Sequence, residues 1–134
     1  MSLDITPLIK AIDRLREGLA RYQNEPADDQ LRDGLIQRFA FTYEPCHGML
    51  KRFIRQAAAS PGEVDRMTFQ DLIHTANQQD LLLGDWPVWH CYRDLRAKTS
   101  LAYHAETADQ IATSIPAFLA EASHLRDRLI RRLA

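Results

Sequence analysis

The chain has 134 residues and a mass of 15.4 kDa, one domain's worth of sequence. Apolar residues make up 46% and charged residues 26%, which excludes a disordered or fibrous protein. Seventeen basic and eighteen acidic residues leave a net charge of −1, which excludes a globally basic nucleic-acid coat but not a local basic site.

The first helix is written by Ile5, Leu8, Ile9, Ile12, Leu15 and Leu19, which recur at threes and fours. Thr6-Pro7 supplies a cap and a first-turn proline for it. The polar stretch 23–29 breaks the pattern. A long second helix is predicted from about Asp29 to Ala59, with Leu31, Leu35, Phe39, Cys46, Met49, Phe53 and Ala57 as its stripe. Pro45 lies in its middle and is expected to kink it. Ser60-Pro61-Gly62 ends that helix. Thr68 and Asp71 form a capping box for a third, shorter helix that turns Phe69, Leu72, Ile73 and Ala76 inward.

Gly84 stops the third helix, and Asp85-Trp86-Pro87 restarts the chain with an acidic cap. The fourth helix carries Trp89, Tyr92, Leu95, Arg96 and Thr99. Thr107-Ala108-Asp109-Gln110 is read as the cap of the last helix, where Ile111, Ile115, Phe118, Ala122, Leu125, Leu129 and Leu133 form a seam. Pro116 is expected to bend it early. The expected fold is all-α: an antiparallel up-and-down four-helix bundle with an additional short helix, one domain over residues 1–134. No run of 18 apolar residues and no signal-peptide stretch occur. Cys46 and Cys91 stand far apart without a CxxC motif, as reduced thiols do. The expectation is a cytoplasmic protein with no membrane contact.

Arginine outnumbers lysine 14 to 3, and the densest polar cluster runs from Tyr92 to His104. Arg96 shares a helix face with Tyr92 and Thr99, and Arg93 lies near the same side. Two guanidiniums beside phenol and hydroxyl groups suit a phosphate or nucleotide. The same cations also suit a solvated helix end, where they offset the dipole. Cys46-His47 and His90-Cys91 are two Cys/His pairs. Adjacent helical residues point about 100° apart and chelate zinc poorly, so buried thiols and surface histidines are the expected reading. Trp86, Trp89 and Tyr92 have the spacing of core or interface residues more than of a base-stacking platform. Arg126, Arg128, Arg131 and Arg132 read as the solvated face of the last helix. Neither a phosphate-cradling glycine loop nor a nucleophile elbow is present.

Two stretches carry a resemblance. Gly34-Leu35-Ile36-Gln37-Arg38-Phe39-Ala40-Phe41-Thr42-Tyr43-Glu44, continuing to Lys51-Arg52, resembles the G-x-I-Q-x-F-x-F-x-Y-E…K-R segment of the nucleotidyltransferase substrate-binding proteins of the HEPN superfamily. Tyr92-Arg93-Asp94-Leu95-Arg96 through Thr99-Ser100 and Tyr103 resembles their Y-R-D-x-R-N-x-x-S-H-x-Y segment. The resemblance implies a four-helix bundle, usually a homodimer, that complexes with a minimal nucleotidyltransferase. Relatives in toxin–antitoxin modules are metal-independent RNases with an R-x(4–6)-H-x-Y motif. In some, the partner silences the RNase by adenylylating the motif tyrosine.

Carried over by position, the motif arginine is Arg96 and the motif tyrosine is Tyr103, the possible adenylylation site. Leu101 stands at the histidine position and Ala97 at the asparagine position. Leucine cannot move the proton of a 2′-hydroxyl. His104 is a surrogate base if the chain there is helical. The expectation is therefore a non-catalytic substrate-binding partner of a nucleotidyltransferase, dimeric, with Arg93, Arg96 and Tyr103 as phosphate-binding residues for a nucleotide or RNA. The alternative is a HEPN ribonuclease toxin using Arg96 and His104. Neither a metal nor a cofactor is called for.

Overall fold

A computed structural model describes residues 3–134. Its helices are α1 (Thr6–Asn24), α2 (Asp29–Ala57), α3 (Pro61–Asp65), α4 (Phe69–Gln78), α5 (Trp86–Ala97) and α6 (Ala105–Leu133), with a 3-10 turn over Lys98–Leu101 between the last two. No strand occurs among the described residues. The helices α1, α2, α5 and α6 form the up-and-down bundle, and α3 and α4 fill the crossover between α2 and α5.

Side-chain contacts fix the directions. Arg38 reaches the Arg14 carbonyl and Thr42 the Ala11 carbonyl, so α1 and α2 run antiparallel. Arg32 meets Asp109 and Phe39 meets Phe118, so α6 runs along α2. Leu8, Ile12 and Leu15 of α1, Leu35, Phe39 and Cys46 of α2, and Ile111, Ile115, Phe118, Leu125 and Leu129 of α6 are wholly buried. Phe118 lies at the hub, edge-on to Phe39 at 4.8 Å and to Tyr92 at 5.1 Å. Such pairs add about 0.5–1.5 kcal/mol each beyond the area they bury.

Several local expectations change. The side chain of Thr6 does not cap α1; Asp4 accepts its backbone N–H at 3.0 Å instead. The Thr6 hydroxyl and then this N–H hold the Asp4 carboxyl below its ordinary pKa. The helix α2 begins at Asp29 because Asp28 accepts from the N–H groups of Gln30 and Leu31. It runs unbroken through Pro45 to Ala57. Pro61-Gly62, read as a stop, opens the short α3 with the proline in its first turn. The Thr68–Asp71 capping box and the Asp85 cap are present. Thr107 does not cap α6, which starts three residues earlier, at Ala105, with His104 as its uncapped N-terminal boundary.

Candidate functional site

The end of α5 is where the polar cluster gathers. Trp89, Tyr92 and Leu95 anchor one face of α5 in the core. That leaves Arg93 and Arg96 on the outer side, one turn apart. Arg96 donates through Nε to Glu44 of α2 at 2.9 Å and through a terminal nitrogen to the Thr99 hydroxyl at 3.1 Å. Thr99 in turn donates to the Arg96 carbonyl at 2.8 Å, closing a small ring of bonds around the last turn. The Arg93 guanidinium lies over the Phe69 ring, 5.6 Å from its centroid.

Arg96 forms the ridge between two open grooves. One, of about 480 Å³, is lined by Asp33, Ile36, Gln37, Ala40, Thr99, Ser100, Ala102 and Tyr103 together with Arg96. The other, of about 470 Å³, joins Arg96 to Arg93, Tyr43, Glu44, His47 and Phe69. Burial pushes the Tyr43 phenol up to about 12 and lowers His47 below its ordinary value. Both groups are therefore neutral at physiological pH. Arg96 and Arg93 are the fixed positive charges of the second groove, with Glu44 as their counter-charge.

The predicted site residues are thus only partly brought together. Arg96 shares one groove with Tyr103 and the other with Arg93, but Arg93 and Tyr103 share neither. Tyr103 is 77% exposed, with the His104 ring stacked beside it at a centroid distance of 4.1 Å. Leu101 and His104 are exposed and line neither groove. His104 also falls outside the helical turn that its surrogate role requires, since its backbone is extended.

Trp89 and Tyr92 are buried and Trp86 half-buried, so they serve the core rather than a base platform. Cys46 is buried but Cys91 is exposed, against the expectation of two buried thiols. No cluster of three metal-ligating side chains exists among the described residues.

Glu121 is a residue that sequence reasoning passed over. Only 2% exposed, it accepts the N–H groups of Leu83 and Gly84, each at 2.7 Å. Burial raises its carboxyl above the ordinary range even though both N–H groups favour the ionised form. A Cβ on Gly84 would stand 2.8 Å from both this carboxylate and Val88, so glycine is required there. The signal was available: Glu121 is three residues after Phe118 and four before Leu125, on the seam of α6. Also passed over is a third groove between α1 and α2, lined by Lys10, Arg14, Arg38 and Phe41.

Comparison with known proteins follows the same geometry. Residues 3–131 match the family described as nucleotidyltransferase substrate binding protein like. A Haemophilus influenzae protein named "Probable ribonuclease HepT" is 36% identical over 104 residues, spanning 78% of this chain and 70% of that protein. The solved structure of HI0074 from the same species, reported to reveal the fold of a substrate binding domain of a nucleotidyltransferase, matches with a TM-score of 0.88. It is 30% identical, and the match covers 94% of this chain and 98% of that one.

Proposed function

The chain belongs to the nucleotidyltransferase substrate-binding protein family, and from that premise we propose that it is the non-catalytic substrate-binding and regulatory partner of a minimal nucleotidyltransferase, in a two-component system of the toxin–antitoxin type. The observation that carries this reading is the Arg96–Tyr103 groove. It offers a guanidinium, two hydroxyls and an exposed phenol, the groups that hold a phosphate-bearing substrate. Leu101, just outside the groove, stands at the motif position where HEPN ribonucleases place their base. Charge stabilisation by Arg96 without proton transfer supports binding far better than cleavage.

The protein works as a homodimer in the cytoplasm under this reading. Support for the dimer comes from the family and from Leu83 and Val88, apolar side chains left 60% and 40% exposed. No described helix is long and apolar enough to cross a membrane. Co-expression with a minimal nucleotidyltransferase encoded beside it, followed by sizing and intact-mass measurement, tests the partnership. A stable complex is expected. Separate elution of the two proteins, with no mass change on either, refutes it.

A second reading is favoured by the ribonuclease name of the relative at 36% identity. In it, Arg96 holds the scissile phosphate, His104 beside Tyr103 moves the proton, and adenylylation of Tyr103 silences the reaction. The two readings separate on purified protein. We expect RNA cleavage at background level with or without divalent metal, since general acid–base assistance worth about 10²–10⁴-fold is missing. Robust cleavage that disappears in His104→Ala establishes the ribonuclease instead.

A further inference from the structure

The groove between α1 and α2 is lined by three cationic side chains and no acidic one, and the Arg96 reading makes no use of it. It measures about 480 Å³ and is lined by Lys10, Ala11, Arg14, Gly34, Gln37, Arg38 and Phe41. Lys10 and Arg14 stand four residues apart on one face of α1, and Arg38 faces them from α2. Among the described residues none of these three cations forms an ion pair. Asp13 is engaged with Arg16 and Asp33 with Arg32, while Glu17, three residues after Arg14, forms no ion pair with it.

Arg38 is held in place rather than left free in solvent. Its guanidinium donates to the Arg14 carbonyl at 2.7 Å, and its Cδ passes 3.0 Å from where a Cβ on Gly18 would lie. The glycine therefore leaves the space in which Arg38 crosses α1. At the rim, the Phe41 ring is 63% exposed although it sits mid-helix on a bundle with ample core.

Three cations outside any ion pair, beside an exposed aromatic face, fit phosphate oxygens joined to a flat ring. The geometry points to a second binding site here for a nucleoside phosphate, with the phosphates on Lys10, Arg14 and Arg38 and the base stacked on Phe41. The volume suits one nucleotide. A second copy of the chain is a poor occupant, because two-fold pairing would set these cations against their own copies. Gln37 lines this groove and the Arg96 groove alike, so the two are neighbours on α2. The nucleotide is either free or one unit of an RNA strand that continues past Gln37.

Calorimetric titration of the full chain with ATP, with a 5′-hydroxyl oligoadenylate of eight nucleotides and with inorganic triphosphate tests this. Lys10→Ala/Arg14→Ala is expected to weaken nucleotide binding by about tenfold or more. Phe41→Ala is expected to weaken it several-fold and Phe41→Tyr to restore it, while triphosphate alone binds less tightly than ATP. Gly18→Ala displaces Arg38 without removing a charge and is expected to weaken binding too. ATP binding more tightly than the oligoadenylate identifies a free nucleotide; the reverse order identifies a strand. Absence of binding, affinities unchanged by these variants, or triphosphate equal to ATP overturns the assignment. Arg96→Ala touches the two grooves that Arg96 separates and not this one, so failure there and failure here are read separately.

Discussion

The two ends of α5 are built on opposite principles. Its entrance, the loop 79–85, is tied down by side chains from its neighbours. Glu121 of α6 takes two of its backbone N–H groups, and Asn77 donates to the Gly84 carbonyl at 2.9 Å and to the Asp85 carboxylate at 3.3 Å. Arg128 pairs with Asp80, which sits at a φ of 60°, and Arg132 donates to the Gln79 carbonyl. The exit is the reverse. The 3-10 turn contains no buried residue, Tyr103 and His104 face solvent, and the ion pair of Arg96 with Glu44 crosses to α2 at the surface. Backbone donors bound to a buried carboxylate hold it in one geometry, and the charge cannot leave them without losing both bonds. An exposed guanidinium exchanges one anion for another at little cost. The entrance is therefore architecture, and under the proposed reading the exit is where a ligand's phosphate replaces Glu44.

The largest effect should come from Glu121→Ala. It removes the charged acceptor of two part-buried N–H groups, bonds worth about 1.5–3 kcal/mol each, against under about 1 kcal/mol for Arg96→Ala. Urea denaturation of the two variants decides, and equal losses would break the contrast. Next, Arg96→Ala should weaken binding of a nucleotide or RNA phosphate in its groove by about 1.5–3 kcal/mol, well beyond Arg126→Ala. Equal losses in a titration would mean non-specific electrostatics. Gly84→Ala should cost about 1–3 kcal/mol through its clash with Glu121 and Val88. A thermal midpoint unchanged from the parent would show the loop to be looser than its bonds imply.

The smallest effect concerns pH. Burial lowers the His47 pKa from 6.5, so the folded state binds its proton less readily than the unfolded chain. Its contribution is complete above that value and is lost as the pH falls toward the folded pKa. The thermal midpoint of the parent should therefore drop further between pH 7.5 and 5 than that of His47→Gln. Parallel curves would remove His47 from the account.

Most of the fold was legible because long helices repeat their apolar residues many times over. The α6 seam from Ile111 to Leu129 is buried as its spacing requires. What failed was local and lacked repetition. Pro61-Gly62 reads as a breaker, yet proline at the first helical position starts a helix as readily as it ends one. At 104–107 the cap signal of Thr107 was stronger than anything at His104, but the turn had already closed through the Ala108 N–H to the His104 carbonyl.

The candidate site was half legible. The spacing of Arg93 and Arg96 marked the right turn of α5, while the groove's other wall comes from Asp33, Ile36, Gln37 and Ala40 on a helix more than fifty residues earlier. No local pattern announces that pairing. Lys10, Arg14, Arg38 and Phe41 were missed for the same reason, since α1 alone shows two unremarkable cations and α2 one cation and one aromatic.

The unequal placement of the two cysteines equips the chain with its own clock. A thiol reagent added to the native protein meets Cys91 at once, whereas Cys46 has no exposed surface, and burial raises its pKa and suppresses the thiolate. Labelling should stop at one adduct per chain, and the second should accrue only as fast as the α2 core opens. A mass-spectrometric time course in maleimide then reads the opening rate of the bundle directly, with no denaturant and no engineered probe.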